Sequence, residues 1–536
     1  MKIKKILKTN ALHAAVAVLL LALTPLAAKK ASDAASKFKE KLSKQEQTEH
    51  VLSRLSFGAR PGDREAVQKL GIKKWIDQQL NPESIPENPA LEATLAKMPT
   101  LAMSTEALVL NYPTPQVLAA VAIGRMKMPE DPQLKETYER LSQRYKARIE
   151  RKKTKNEEEE EAAQKGIEDR LRRRVGAMST EERSEALRKL APQQAVASEL
   201  TEAKIYRAVL SERQLNEVLA DFWFNHFNVF LDKGADKWLT TAYERDAIRP
   251  LVLGRFSDMV KATAQSPAML FYLDNWTSIA PAAVRARARA RGINENYARE
   301  LMELHTLGVD GGYTQKDVQE VARCFTGWTI DEPNRGGKFR FAERAHDKGE
   351  KVVLGVTIPA GGGIEDGLKV IEILSAHPST AKYISRKLAQ RFVADEPPAA
   401  LIDRMATTYQ KTSGDLKAVM KTMLSSPEFM SAGAYKSKMK SPLEMVAGAL
   451  RATGATLTNT LPAAQAIAQM GQPLYRKQEP TGYSNNGEEW LNSAGLLARI
   501  NFSVALSENK LQGIRIDKDR YSTIAKNMGA PEWQRR

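Results

Sequence analysis

From Leu200 to the end of the chain, apolar residues recur at a spacing near 3.6. That period places them on one stripe of a helix and leaves little of the period-two alternation that strands need. Strand-like and helix-like segments do not alternate, which disfavours a doubly wound sheet. The best strand candidate is EKVVLGVTI, residues 350–358, with KFRF, residues 338–341, as its hairpin partner. No fixed-period repeat runs through the chain. The expected fold is mainly α: a large irregular multi-helix domain, a small β-hairpin excursion near 338–358, and a projecting charged helical insertion.

The insertion is read over residues 129–191. LKETYERLSQRYKARIERKKTKNEEEEEAAQKGIEDRLRRR is almost wholly charged, with Glu157 to Glu161 uninterrupted. Runs of this kind are solvated helix or disorder. Two exposed helical arms in a hairpin fit the pattern. Ser179 with Glu182 forms a capping-box signature that starts the next helix.

The first residues, MKIKKILKTNALHAAVAVLLLALTPLAAKK, carry Lys2, Lys4, Lys5 and Lys8 ahead of an apolar run from Ala11 to Leu23. Pro25, Ala27 and Ala28 follow. This is the layout of a secretory signal peptide over 1–28, and a retained anchor is the weaker reading because the run is short for a span. Residues 29–45 read as a flexible lead-in and 46–536 as a single large helical domain. The expected location is the periplasm or the extracellular space. Beyond residue 28 the sequence holds one cysteine, Cys324. Disulfides within the chain and a Cys-rich zinc site are therefore both excluded. The core must come from apolar packing, which a chain of this length can supply.

Formal net charge is +17, and +13 without the four leader lysines. An excess of this size suits an acidic envelope polymer or an acidic exported protein. Solvated Lys and Arg on helix faces is the bland account. Nucleic acid is disfavoured by the leader and by the lack of zinc-finger spacing or a stacking-aromatic motif.

Several catalytic devices are missing: G-x-S-x-G, H-E-x-x-H and a Walker loop. The densest chemistry lies in NENYARELMELHTLGVDGGYTQKDV. With Asn294 as N-cap and Gly308 as the stop, a wheel at 100° per residue groups Asn296, Glu300 and Glu303 on one face. His305 falls on the apolar side near Ala298 and Leu301. Glu-x-x-Glu is not the Glu-x-x-His of di-iron bundles. Thr314 and Asp317 make a second capping box, and Cys324 reads as a small buried hydrophobe. His226 sits in DFWFNHFNVF, where an aromatic setting favours the neutral imidazole. His346 and Asp347 stand together in a loop ahead of the candidate strand. His50 and His377 read as structural. Arg285, Arg287, Arg289 and Arg291, at every second position, form either an anion clamp beside Asn294 or a solvent loop.

Two readings of these residues stand. In one, they converge: Glu300, His346 and Asp347 act as acid/base groups, Asn294, Asn296 and Arg299 orient substrate, and His226 and His305 ligate a divalent metal, with Zn, Mn or Fe suited to imidazole and carboxylate. In the other, each is an ordinary packing or capping group, and the chain is a non-catalytic binding or assembly protein.

Taken in order, HVLSRLSFGARPGD, FWFNHFNVF, MLFYLDN, NENYARELMELHTLGVDGGYTQKDV, CFTGW, HDKGEKVVLG, HPSTAKYISRKLAQRFVADEPP, KSPLEMVAGALRATG and MGQPLYRKQEPTGY…WLNSAGLLARINF resemble the bacterial family catalogued as domain of unknown function 1800. The resemblance spans about residue 50 to about residue 505. It implies a mostly helical exported protein and no agreed reaction. Where such proteins commonly carry Gly-Trp near the last motif, this chain has Gly482-Tyr483.

Overall fold

Local capping signals start the helices. Ser43 and Glu46 exchange bonds at the head of Lys44–Leu55. Ser179 with Glu182 and Thr314 with Asp317 do the same for Thr180–Leu190 and Gln315–Cys324. Each satisfies backbone donors that a helix N-terminus leaves open. The computed structural model describes residues 36–154, 178–281 and 292–536, with scattered positions between 162 and 176. Helices dominate, and among the described residues the strands form only three two-stranded antiparallel pairs. The fold is mainly α, as expected. No helix among the described residues is long and apolar enough to cross a membrane.

One continuous hydrophobic cluster runs from Val51 on the first long helix to Met528 near the C-terminus. The first described helix and the C-terminal segment both contribute to it. Arg54 is buried and donates to Val393 O at 3.1 Å and Ser437 Oγ at 3.0 Å. Phe57 N bonds Gln214 Oε1 at 3.0 Å. Gly58 packs on Gly448 of the Pro442–Ala452 helix so closely that a Cβ on Gly448 would lie 2.8 Å from Phe57 O.

Three expectations are corrected. KFRF does not pair with residues 350–358: Phe339–Phe341 pairs with Trp328–Ile330, while Lys351–Val353 folds back on Val356–Ile358. The tight turn is Leu354-Gly355, both with positive φ (49° and 80°), which a two-residue hairpin requires. The described parts of 129–191 also carry anchors into the core. Tyr138 and Leu141 on Pro132–Thr154 and Leu187 on Thr180–Leu190 are buried in a second cluster with Leu108, Tyr112 and Trp238. Arg183, also buried, pairs with Glu202 of Pro192–Leu210. The charged sequence conceals this, because three apolar anchors suffice to seat two helices. The lead-in is ordered over its last part: Leu42 is buried and Phe38 packs against Gly433. The leader, Glu157–Glu161 and the Arg285–Arg291 series lie outside the described residues.

Candidate functional site

The helix expected from Asn294 starts at Asn296 and changes pitch after Glu300. Leu301–Thr306 is a π-helical turn in which Leu307 N donates to Met302 O, five residues back. Turns of this type recur at functional sites. Asn294 Oδ1 accepts from Asn296 N at 2.8 Å, and both side-chain amides reach Leu273 O at 3.4 Å. Arg299 bonds Gln315 Oε1 at 2.8 Å and pairs with Glu295. The three residues expected to orient substrate therefore tie the helix start to its neighbours. Glu300 and Glu303 are half-buried on the outer face. Desolvation, then the charge of Glu303, raises the pKa of Glu300. Tyr313 Oη donates to Glu303 at 3.4 Å.

His226 ends the Gln214–His226 helix and is buried with His305, ring centroids 6.2 Å apart. Its Nε2 lies 3.0 Å from His305 O. A carbonyl only accepts, so His226 carries its proton on Nε2 and Nδ1 is bare. Burial drives both imidazoles toward the neutral form, well below the ordinary value for His226 and to about 3 for His305. The Lys387 ammonium nearby reinforces this and is itself pushed down to about 8 by desolvation. His226 thus fixes the π turn to the preceding core. Its neighbours fix a distant loop. Asn228 Nδ2 bonds Lys477 O and Glu479 O, both at 2.9 Å. Asn225 exchanges bonds with the backbone of Tyr483 at 2.7 and 2.6 Å. Tyr483 Oη donates to Pro473 O at 2.8 Å, closing the loop on itself.

His346 belongs to a different set. Nδ1 lies 2.8 Å from Thr326 O, and Nε2 lies 3.1 Å from Asp366 Oδ2, which also receives Lys351 Nζ at 2.6 Å. All three side chains are buried. Asp347 forms a fork with Arg323 at 3.0 and 3.0 Å, and that pairing outweighs burial to lower its pKa. The structure thus gathers His226 with His305, keeps Glu300 with Glu303, and pairs His346 and Asp347 elsewhere. Among the described residues no group of three His, Cys, Asp or Glu side chains could hold a metal ion. The metal set of His226 and His305 has no third ligand there, because their neighbours are aromatic rings and backbone. Cys324 is buried, with its thiol pushed up to about 12 by desolvation.

One open concavity lies where the Lys44–Leu55 helix meets the C-terminal residues, and another, of ≈ 770 Å³, is lined by His346 and Asp347. A groove of ≈ 540 Å³ runs between Leu52–Arg64, Tyr435–Lys440 and the C-terminal Trp533. Arg64, Lys436 and Arg535 are exposed along it. Glu444 forms its floor and also lines a smaller cavity of ≈ 30 Å³ on the far side. Arg391 and Arg536 both bind Glu444, and Ser441 N donates to it at 2.8 Å. These partners outweigh desolvation and hold Glu444 at about 2. Beside the groove, the Ser493–Ser507 helix leaves Leu496, Leu497, Ile500 and Val504 exposed, with Leu497 59 % and Ile500 46 % accessible. At 100° per residue they fall within one third of its circumference. A Cβ on Gly529, one residue before Ala530 of the groove, would touch Ile500. This surface was missed. Its signals were the Ser441-x-x-Glu444 capping pair between Lys438, Lys440 and a helix, and the apolar residues on either side of Arg499 in GLLARI.

The family model described as Protein of unknown function (DUF1800) matches residues 50–534, nearly the whole chain. No curated protein and no solved structure matches it.

Proposed function

The chain belongs to the DUF1800 family of proteins of unknown function, and from that premise we propose that it is an exported binding or assembly protein of the cell envelope, gripping an acidic polymer with its basic groove. One observation carries the reading. The cation-bearing groove and the exposed Leu497–Ile500 face adjoin each other on the outside, whereas His226, His346 and Asp347 are engaged in contacts within the fold. Arg64, Lys436 and Arg535 form no salt bridge among the described residues, although Lys436 lies within reach of the Glu46 charge and Glu49 and Glu532 also line the groove. The apolar helix face adjoins this charge, an arrangement suited to a partner that is acidic in one part and apolar in another. The basic leader and apolar run support export.

The test is retention on an immobilised polyuronate. Binding at low salt that is lost at high salt supports the reading, since exposed charges are screened. Retention unaffected by salt, or none, counts against it.

A second reading, an exported enzyme using acid/base or metal chemistry, is favoured by one feature: half-buried Glu300 immediately before the π turn that carries Glu303, with the Glu300 pKa raised. Glu300→Gln abolishing a phenotype that the folded wild type supports would favour it.

A further inference from the structure

We propose that Lys440 is a nucleophilic amine, and that the groove admits a small aldehyde or 2-oxo acid bearing a carboxylate, which condenses with it. This inference concerns one side chain and stands apart from the acidic-polymer reading.

Lys440 is held from both sides by backbone. Its N–H donates to Gln534 O at 2.8 Å, and its carbonyl accepts from Arg499 Nη2 at 2.8 Å. The side chain then lies on the indole of Trp533, with Nζ 3.2 Å from the ring centroid and 2.7 Å from Trp533 O. An ammonium has three protons to donate. Among the described residues no carboxylate pairs with this one. Lys440 is half-buried, and the fully buried lysines differ: Lys204 holds Asp221, Lys351 holds Asp366 and Lys438 holds Asp395. Lys387 has no carboxylate either, but it faces Tyr383 and the two buried histidines rather than this groove. The charges around Lys440 are mostly positive: Arg536, Arg499 and Lys436, against Glu444, whose charge Arg391 and Arg536 already share. The indole face and Trp533 O favour the ammonium, and desolvation and the crowding cations oppose them, the setting in which a free amine forms at neutral pH. Desolvation is the largest cause and pushes Lys440 down to about 7.

The groove supplies the other parts. Tyr435 Oη donates to Glu49 at 2.8 Å, and both line it. Arg64, Lys436 and Arg535 line it too and can hold a carboxylate. The step balances without a redox partner. The Nζ lone pair attacks the carbonyl carbon and the C–N bond forms. The nitrogen passes one proton to the carbonyl oxygen, giving a carbinolamine. The C–O bond then breaks as the hydroxyl takes a proton from solvent, water leaves, and the nitrogen returns its remaining proton to solvent to leave an imine.

A structural lysine that merely pins Trp533 would be chemically silent, so the test reads a covalent product. The full chain is incubated with glyoxylate and cyanoborohydride near neutral pH, and the carboxymethylated lysines are located by peptide mapping. The expected result is one adduct per chain, at Lys440, formed about tenfold faster than with neutral propanal, with about tenfold less in Lys440→Arg, which keeps the charge and the indole contact. The wild-type rate should reach half its maximum near neutral pH, whereas exposed lysines do so near their ordinary value of about 10.4. That profile needs no variant and decides the matter even if Lys440→Arg folds poorly. Adducts spread over surface lysines, a profile centred near the ordinary value, or no adduct would overturn the proposal.

Discussion

At neutral pH three imidazoles are uncharged inside the fold: His50, His226 and His305, each held below its ordinary value chiefly by desolvation. Unfolding releases them to about 6.5. Between that value and the folded one the unfolded chain binds more protons, so stability is full above about 6.5 and is lost as pH falls toward the folded values. For His305, at about 3 in the fold, the loss by pH 4.5 is on the order of 2–3 kcal/mol. The melting temperature should fall steadily from pH 7 to pH 4.5, and His305→Leu should flatten that fall. A melting temperature constant over the range would contradict the burial of these rings. Asp236 has the opposite sign. It is buried, neither carboxyl oxygen has a partner, and desolvation raises its pKa well above the ordinary value. Its contribution is present below about 3.9 and is lost as pH rises through the folded value. Asp236→Asn should therefore gain stability over the wild type as pH goes from acid to alkaline, measured by parallel thermal melts. The inward placement of His305 was legible, since a wheel at 100° per residue already set it beside Ala298 and Leu301. Its partner was not, because the bond from His226 goes to a backbone carbonyl, and no spacing of side chains encodes that.

At the scale of elements, the clamp around Asn225 and Asn228 explains why FWFNHF and PLYRKQEPTGY, some 250 positions apart, act together. Gly482 has φ 70°, and a Cβ there would collide with Asn225 O. Gly482→Ala should cost about 2 kcal/mol or more and expose the 475–486 loop to proteolysis. A protease-resistant variant with wild-type melting would show that the clamp does not hold the loop. Tyr483 serves this clamp through its backbone and its hydroxyl, so the loop closes without an indole at that position. Capping boxes were legible at both Ser179 and Thr314 because four consecutive positions suffice to write them. The π turn at Leu301–Thr306 was not, since its sequence LMELHT suits an α-helix equally well. The partner of KFRF was misjudged for a related reason. Proximity along the chain favoured 350–358, but Leu354-Gly355 can close its own hairpin and leaves KFRF to pair with Trp328–Ile330.

For the whole molecule, the helical class was legible from period alone, because 3.6-residue spacing persists over most of the chain. The meeting of residues 49–64 with the C-terminal residues beside Glu444 was not, since it depends on long-range packing such as Gly58 against Gly448. The exposed face of Ser493–Ser507 gives a prediction at this scale. Leu497→Glu with Ile500→Glu should change folding stability by no more than about 0.5 kcal/mol, as for surface positions generally, while reducing co-purification of envelope material. Equal recovery of that material would remove the face from the account. The central claim concerns charge in the groove. Its most direct test is a titration of fluorescent polyuronate against the wild type and against Arg64→Glu/Lys436→Glu/Arg535→Glu, three exposed positions whose replacement should leave the fold intact. The account predicts salt-sensitive binding by the wild type and a loss of at least about tenfold in the charge-reversed chain. Equal affinity of the two chains would contradict it.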